Sequence, residues 1–272
     1  MNLSTSSAPL LQVTGVTVRF GGLTAVDDVS FDVQQGDLLG LIGPNGAGKT
    51  TMMRAIIGVV QPTVGSVLLG GESLNGLPIH KRIQRGMSLS QQLVRPLRDI
   101  SMEENVALAA ASDKTISPLR ALLNVSTERE LAIAQTELAR VGIVSMASQS
   151  PGIQPLGVLK RLELARALAL KPRLLLLDEP LAGLNSQEAR ALATTIAEIN
   201  QQGLTVVLIE HNLGEVMRIC QRLVVLDNGK KIGDGDPREV MADPAVRAAY
   251  LGGDAFGASA AQGHATLETQ SA

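Results

Sequence analysis

The residues most able to do chemistry form a glycine-rich stretch that follows an apolar run, Leu38–Ile42, and precedes a segment favouring a helix. In order they are Gly43, Pro44, Asn45, Gly46, Ala47, Gly48, Lys49, Thr50 and Thr51. Glycines let successive backbone N–H groups turn toward one anion, Lys49 can reach β- and γ-phosphates, and the Thr50 hydroxyl can bind Mg²⁺. A strand, a glycine loop and a helix N-terminus in this order predict a site for a nucleoside triphosphate and Mg²⁺.

Two adjacent carboxylates, Asp178 and Glu179, follow a second apolar run, Leu174–Leu177. Ligands of open α/β sheets bind at the carboxyl ends of the strands. Asp178 can therefore hold Mg²⁺, while Glu179 can act as the general base that accepts a proton from an attacking water. The alternative is an acidic pair that ends a strand and faces solvent.

A histidine, His211, comes soon after a third apolar run, Val206–Ile209. Beside a nucleotide, its imidazole can hydrogen-bond the γ-phosphate or the attacking water. A structural histidine is the alternative, and the preceding motifs favour the first interpretation.

The composition narrows the function classes. The chain has 272 residues, of which 45% are hydrophobic and 18% charged, with a net charge of −2. Lys and Arg form no dense run, which disfavours nucleic acid as a partner. Cys220, in a helix predicted over Leu213–Arg222, is the only cysteine, so no internal disulfide can form. No uncharged apolar stretch reaches the ~18 residues that cross a bilayer, and we expect any membrane role to act through a partner.

The first part of the chain is predicted to add antiparallel strands beside the phosphate loop. Val13–Phe20, Val29–Val33 and Ser66–Leu69 are short apolar segments separated by turn residues. Residues 1–9 are rich in Ser and Thr and residues 253–272 in Ala, Gly, Ser and Gln, which is typical of disordered ends.

The rest of the chain changes its periodicity twice. From about 100 to 169, Ala, Leu, Glu and Arg recur at helical spacing, and a helical insertion is predicted there. Short apolar runs then return and include Leu223–Leu226, with a helix predicted over Gln187–Asn200, as in a buried parallel sheet. Asn228 and Gly229 are typical of a two-residue hairpin turn.

The order of these features resembles one family, the ATP-binding subunits of ABC transporters. A phosphate loop, a glutamine after a strand, a signature helix, the Asp178–Glu179 pair and His211 follow one another within residues 10–252. The resemblance implies an α/β fold with a P-loop NTPase core, an antiparallel β subdomain and a helical subdomain inserted at about 93–168. It also implies ATP and Mg²⁺ as ligands and ATP hydrolysis as the reaction.

The resemblance also implies further site residues. Gln92 is similar to the glutamine that senses Mg²⁺ and meets the membrane partner, with Gln91 as a neighbouring candidate. Phe20 is similar to the aromatic side chain on which adenine stacks, the alternative being a core strand aromatic. Leu184 and Asn185 lie in a stretch similar to the loop that communicates across the dimer.

Within the family, the chain resembles most the ATPase subunits of bacterial branched-chain amino acid importers. The resemblance depends on the segments 19–23 and 243–252 and on the long helical insertion. It implies membrane permease subunits, a second ATPase subunit that is identical or different, and, indirectly, a periplasmic solute-binding protein. The chain would then lie peripherally on the cytoplasmic face of the inner membrane. Importers of urea, amides or aromatic acids are similar at this level.

The signature departs from the family pattern. The family has Leu-Ser-Gly-Gly-Gln at this helix start, whereas the chain has Gln154, Pro155, Leu156, Gly157 and Val158. Pro155 lacks both a hydroxyl and an N–H, and Leu156 adds a side chain where backbone should approach phosphate. Gly157 keeps its amide as a candidate nucleotide contact, and loss of one charge-assisted bond costs about 1.5–3 kcal/mol.

These observations predict an ATP-hydrolysing subunit that drives an importer for branched-chain amino acids or a related small solute. Three alternatives remain open: an exporter ATPase of the lipopolysaccharide-export type, a non-transport ABC ATPase, and a regulatory subunit that scarcely hydrolyses. The degenerate signature favours the last alternative, while Glu179 and His211 oppose it. The absence of a coiled-coil insert and of a second cassette disfavours a non-transport ATPase.

Overall fold

The computed structural model describes residues 8–90, 96–111 and 128–251, whose strands form two sheets. The first sheet has four antiparallel strands in the order β2-β1-β4-β5. They are β1 (Leu11–Phe20), β2 (Leu23–Val33), β4 (Val64–Leu69) and β5 (Glu72–Ser73). The three predicted antiparallel strands are present in this sheet. The strand predicted at Val29 begins six residues earlier, because the largely exposed first half of β2 also pairs with β1 at the edge of the sheet.

The second sheet has six strands in the order β10-β9-β3-β8-β7-β6. They are β3 (Leu38–Ile42), β6 (Met87–Ser90), β7 (Leu174–Asp178), β8 (Thr205–Ile209), β9 (Arg222–Asp227) and β10 (Lys230–Gly235). Five of them run parallel, and β10 pairs antiparallel with β9. Asn228 and Gly229 form the hairpin turn with φ values of 46° and 78°, so the turn chemistry read from the sequence is confirmed.

Helices cover the second sheet. Those in the described part of the chain are α1 (Lys49–Ile57), α2 (Ile79–Gln84), α3 (Met102–Ala110), α4 (Glu128–Arg140), α5 (Leu156–Ala169), α6 (Ser186–Gln201), α7 (Leu213–Ile219), α8 (Pro237–Ala242) and α9 (Pro244–Leu251). None of them is both long and apolar enough to span a membrane.

The central parallel strands β3, β7 and β8 consist mostly of apolar residues because both faces of their sheet are covered. Side chains alternate between two cores: Leu38, Leu175 and Leu177 pack among the later helices, whereas Leu39 and Leu176 pack against α1 and the antiparallel sheet. The phosphate-loop strand β3 is therefore fixed from both sides, which holds its carboxyl end rigidly.

In the described part of the predicted helical insertion, the chain forms α3, α4 and α5, which pack against one another and lie between β6 and β7 in the sequence. The predicted disordered ends lie outside the described residues, apart from 8 and 9. One local prediction was wrong. The helix expected over Leu213–Arg222 ends at Ile219, and buried Cys220 has an extended backbone because the chain turns there into β9.

Candidate functional site

The phosphate loop joins β3 to α1 and depends on glycine at each bend. Gly43, Gly46 and Gly48 have φ values of 147°, 80° and 99°, a region that side chains disfavour. A Cβ atom on Gly43 would lie 2.0 Å from the Leu226 carbonyl oxygen, and one on Gly48 would lie 2.5 Å from the carbonyl oxygen of Ala25. Gly48 is also the N-cap of α1, so no side chain covers the first amides of the helix.

Lys49 places its ammonium inside the curve of this loop. The residue is buried, and Nζ donates hydrogen bonds of 2.8 Å to the carbonyl oxygens of both Gly43 and Pro44. Burial lowers the pKa of Lys49, and the carboxylates of Glu179 and Asp178 oppose that shift. The ammonium is thus already held where a phosphate anion would gain most from a positive charge.

A cavity of about 350 Å³ brings the phosphate loop together with Glu179 and His211. Its lining residues are Leu23, Thr24, Ala25, Asn45, Gly46, Ala47, Gly48, Lys49, Thr50, Thr51, Glu179, His211, Asn228 and Gly229. Sequence reasoning missed the lining role of Leu23–Ala25 and of the 228–229 turn. Asn228 and Gly229 were identified only as a hairpin, and the sequence carries no signal that the hairpin faces the loop.

The carboxyl ends of β7 and β8 supply the other reactive groups. Asp178 ends β7 and pairs in register with Ile209, the last residue of β8. Glu179 follows with φ of 52°, an uncommon backbone for a residue other than glycine. Its Oε1 lies 2.8 Å from Nε2 of His211, and this hydrogen bond joins the two predicted catalytic side chains.

The donor set at this edge suits Mg²⁺. Thr50 offers a hydroxyl and Asp178 a carboxylate, the oxygen ligands that this cation takes together with phosphate and water. Burial and the adjacent Glu179 carboxylate raise the pKa of Asp178, although Arg54 and Lys49 act in the opposite direction. A cation at Asp178 would relieve this excess of buried negative charge. When bound, it would neutralise charge on the phosphates.

Phe20 ends β1 beside the turn that leads to Leu23, one of the residues lining the cavity. Its side chain is 50% exposed, so the alternative of a core aromatic is wrong. An exposed ring next to the cavity is available for stacking, and the adenine contact stays a prediction. Gln91 and Gln92 lie outside the described residues.

Gly157 does not line the cavity of its own chain. It lies in the first turn of α5, behind the N-cap Pro155, and a Cβ atom on it would lie 3.1 Å from Oε1 of Glu188. Leu156 is 40% exposed and packs beside Gly183. The nucleotide contact predicted for Gly157 therefore stays a prediction that needs a second ATPase subunit.

Tyr250 is a contact of the phosphate loop that sequence reasoning missed. This buried side chain of α9 makes a hydrogen bond with the backbone of Gly43, and burial raises the pKa of its hydroxyl. Helix α9 thereby contacts the first residue of the loop. In the sequence, the segment 243–252 indicated only the family resemblance. A tyrosine some 200 positions from the loop gives no local signal that it contacts the loop.

Comparisons with known proteins identify relatives in sequence and in structure. The sequence profile of a family described as "ABC transporter" matches residues 26–182, and a profile described as "Branched-chain amino acid ATP-binding cassette transporter" matches residues 230–255. A high-affinity branched-chain amino acid transport ATP-binding protein, BraF of Pseudomonas aeruginosa, is 39% identical over 90% of this chain and 99% of its own length. The corresponding LivG of Escherichia coli K12 is 37% identical with the same coverage.

Two further similar proteins are a relative with a different transport role and a solved cassette structure. The lipopolysaccharide export ATP-binding protein LptB of Haemophilus influenzae is 35% identical over 89% of this chain and 97% of its own. The solved structure of the ADP conformation of MJ1267, an ATP-binding cassette of an ABC transporter, superposes with a TM-score of 0.80 at 27% identity. It covers 90% of this chain and all of that one.

Proposed function

The chain belongs to the ABC transporter family, and from this premise we propose that it is the ATP-hydrolysing subunit of a bacterial importer for branched-chain amino acids. It is an ABC ATPase with an α/β fold, and ATP is its nucleotide. The observation that carries the proposal is the contact of 2.8 Å between Glu179 and His211, both of which line the cavity of the phosphate loop.

The chemistry follows from the groups at that cavity. The amides of 43–50 and the ammonium of Lys49 would hold the β- and γ-phosphates. Glu179 would accept the proton of a water that attacks the γ-phosphorus as the bond to the leaving oxygen breaks. His211 would hydrogen-bond both the Glu179 carboxylate and the γ-phosphate and so align them for the attack. Thr50, Asp178 and Gln92 would share the Mg²⁺ ion, and Phe20 would stack on adenine.

The importer assignment has independent support at the C-terminus. The profile of branched-chain transporters matches there, and the relatives that carry this name are 37–39% identical, compared with 34–35% for the lipopolysaccharide-export proteins. We therefore favour import over lipopolysaccharide export. The proposed boundaries are one ABC ATPase domain over 10–252, with a helical subdomain at about 93–168 and disordered ends.

The proposed partners are membrane permease subunits, a second ATPase subunit and, through the permeases, a periplasmic solute-binding protein. The chain would lie on the cytoplasmic face of the inner membrane. The position of Gly157 supports a second subunit, because this residue lies in the first turn of α5 and does not line the phosphate-loop cavity of its own chain. Each ATP would then lie between the phosphate loop of one subunit and the signature of the other.

The test is uptake of radiolabelled leucine, isoleucine and valine by cells that lack this chain. We expect uptake to fall, to return with the wild-type chain, and to stay low with Glu179→Gln. Normal uptake together with defective export of lipopolysaccharide would contradict the importer assignment and favour the exporter alternative. A gel shift with nucleic acid by the purified chain would favour a non-transport ATPase.

A further inference from the structure

Glu210 is a buried carboxylate that no role described so far uses. It follows β8 directly and is 3% exposed. Its Oε1 accepts a hydrogen bond of 2.6 Å from the amide of Leu181, and Oε2 accepts one of 3.1 Å from the amide of His211. A carboxylate buried this deeply needs such donors, because an unpaired charge in the interior is costly.

The two amides belong to two different loops. Leu181 lies two residues after Glu179 in the loop that follows β7, and His211 lies in the loop that follows β8. One carboxylate therefore connects the backbones that carry both members of the hydrolytic pair. The connection matters at Glu179, whose left-handed backbone with φ of 52° persists only where surrounding contacts enforce it.

Lys160 supports the same loop from the signature helix. It is 5% exposed, and its Nζ donates a hydrogen bond of 3.2 Å to the carbonyl oxygen of Glu179. Burial lowers the pKa of Lys160, and among the carboxylates that oppose this shift Glu210 has the largest effect. The Glu210 carboxylate thus favours the charged form of Lys160 next to the backbone of the proposed general base.

We propose that Glu210 is a positioning residue for ATP hydrolysis, which, with Lys160, holds the two loops so that Oε1 of Glu179 stays within reach of Nε2 of His211. The inference rests on the proposed roles of Glu179 and His211. A purely structural Glu210 would stabilise the fold without affecting the rate of the folded enzyme, so a kinetic readout separates the two possibilities.

The test is Glu210→Gln in the full-length chain, assayed within its transporter complex. The amide keeps the size of the side chain, but its NH₂ group cannot accept the second backbone hydrogen bond. We expect kcat to fall roughly tenfold or more, since small displacements of reacting groups have large kinetic effects. KM and the affinity of the isolated chain for ATP should stay within about twofold, because the phosphate loop is untouched.

Glu137→Gln is the matched control. Glu137 is also a buried carboxylate, 7% exposed and hydrogen-bonded to Arg140 in α4, and it does not line the phosphate-loop cavity. This variant should lower Tm and leave kcat unchanged. If Glu210→Gln likewise lowers Tm alone, or raises KM at constant kcat, the positioning role is overturned.

A double-mutant cycle sharpens the test. If Glu210 acts through Glu179, adding Glu210→Gln to Glu179→Gln should cost less than about a further twofold in kcat. A full additional loss would overturn the inference. If Glu210→Gln does not fold, Lys160→Met takes its place with the same expected pattern. A normal rate for Glu179→Gln alone would overturn the proposed function as well, whereas a low rate for Glu179→Gln with a normal rate for Glu210→Gln overturns only the inference.

Discussion

The helices α1 and α5 both begin without a side-chain cap, and they differ in the residues that surround their N-termini. At α1 the glycines bend the preceding loop back over the first amides and bring the ammonium of Lys49 into the curve. At α5 the N-cap is Pro155 in an ordinary extended conformation, and the next side chain, Leu156, is 40% exposed.

The difference shows that a helix N-terminus alone does not make a phosphate site. Oriented amides exist at the N-termini of both helices. Of the two, α1 has the loop whose backbone amides can converge on an anion and the cation that balances its charge. Around α5 the neighbours are apolar or acidic: Ile153 is 84% exposed, and the Glu188 carboxylate lies against Gly157. We expect the first helix to bind nucleotide strongly and the second to contribute weakly.

The largest effect is expected at the first helix. Lys49→Ala removes the cation facing the phosphates and should weaken ATP binding by roughly 100-fold or more. Isothermal titration of the isolated chain with ATP measures this change. Leu156→Ala at the start of α5 and Lys81→Ala on the exposed side of α2 are the controls, and both variants should bind ATP normally. Near-normal affinity in Lys49→Ala would show that the site lies elsewhere.

The next effect concerns which composite site hydrolyses ATP. If the second ATPase subunit has an intact signature, the site formed by this chain's phosphate loop and that signature should catalyse most of the ATP hydrolysis. Glu179→Gln keeps the size of the side chain but cannot accept the proton of the water, so turnover should fall roughly 100-fold or more while ATP still binds. The equivalent change in the partner subunit should cost much less in the reconstituted transporter. Equal losses from the two changes would contradict the asymmetry.

A smaller effect is expected from restoring the family signature at the start of α5. The double change Pro155→Ser with Leu156→Gly restores a hydroxyl and opens the approach to the first amides of α5. One recovered charge-assisted bond is worth about 1.5–3 kcal/mol, which corresponds to roughly 10- to 150-fold, so turnover of the assembled transporter should rise by at least about tenfold. The isolated chain should bind ATP as before. An unchanged rate in the assembly would mean that the signature does not limit hydrolysis.

The smallest effect is on stability near the first helix. A carboxyl whose pKa is higher in the folded than in the unfolded state destabilises the fold once it is ionised. Asp178→Asn should therefore raise the Tm of the nucleotide-free chain at neutral pH by roughly 2–4 °C, which corresponds to about 1 kcal/mol. The gain should disappear as the pH falls below the unfolded pKa of an aspartate. Asp99→Asn, at an exposed turn, should change nothing at either pH, and equal shifts in the two variants would contradict this assignment.

The sequence alone was sufficient for features whose signal is local. The phosphate loop could be read because its glycines, lysine and threonine must follow one another in the chain to surround one phosphate. The apolar runs of β3, β7, β8 and β9 could be predicted because a strand covered on both faces is a nearly continuous apolar run. The edge strand β2 was predicted too short, since Asp27 and Asp28 interrupt its apolar pattern and only the pairing with β1 continues the strand back to Leu23.

Tertiary structure determines which residues of the site contact one another. Glu179 and His211 are 32 positions apart and meet because β7 and β8 are neighbours in the sheet. The same pairing places Glu210 against the amide of Leu181, and packing of α5 brings Lys160 to the carbonyl of Glu179. Residue types and short-range spacing determine which groups can act, because backbone geometry is local. Which of them touch is set by non-local strand order and helix packing, where many distant contacts are satisfied together.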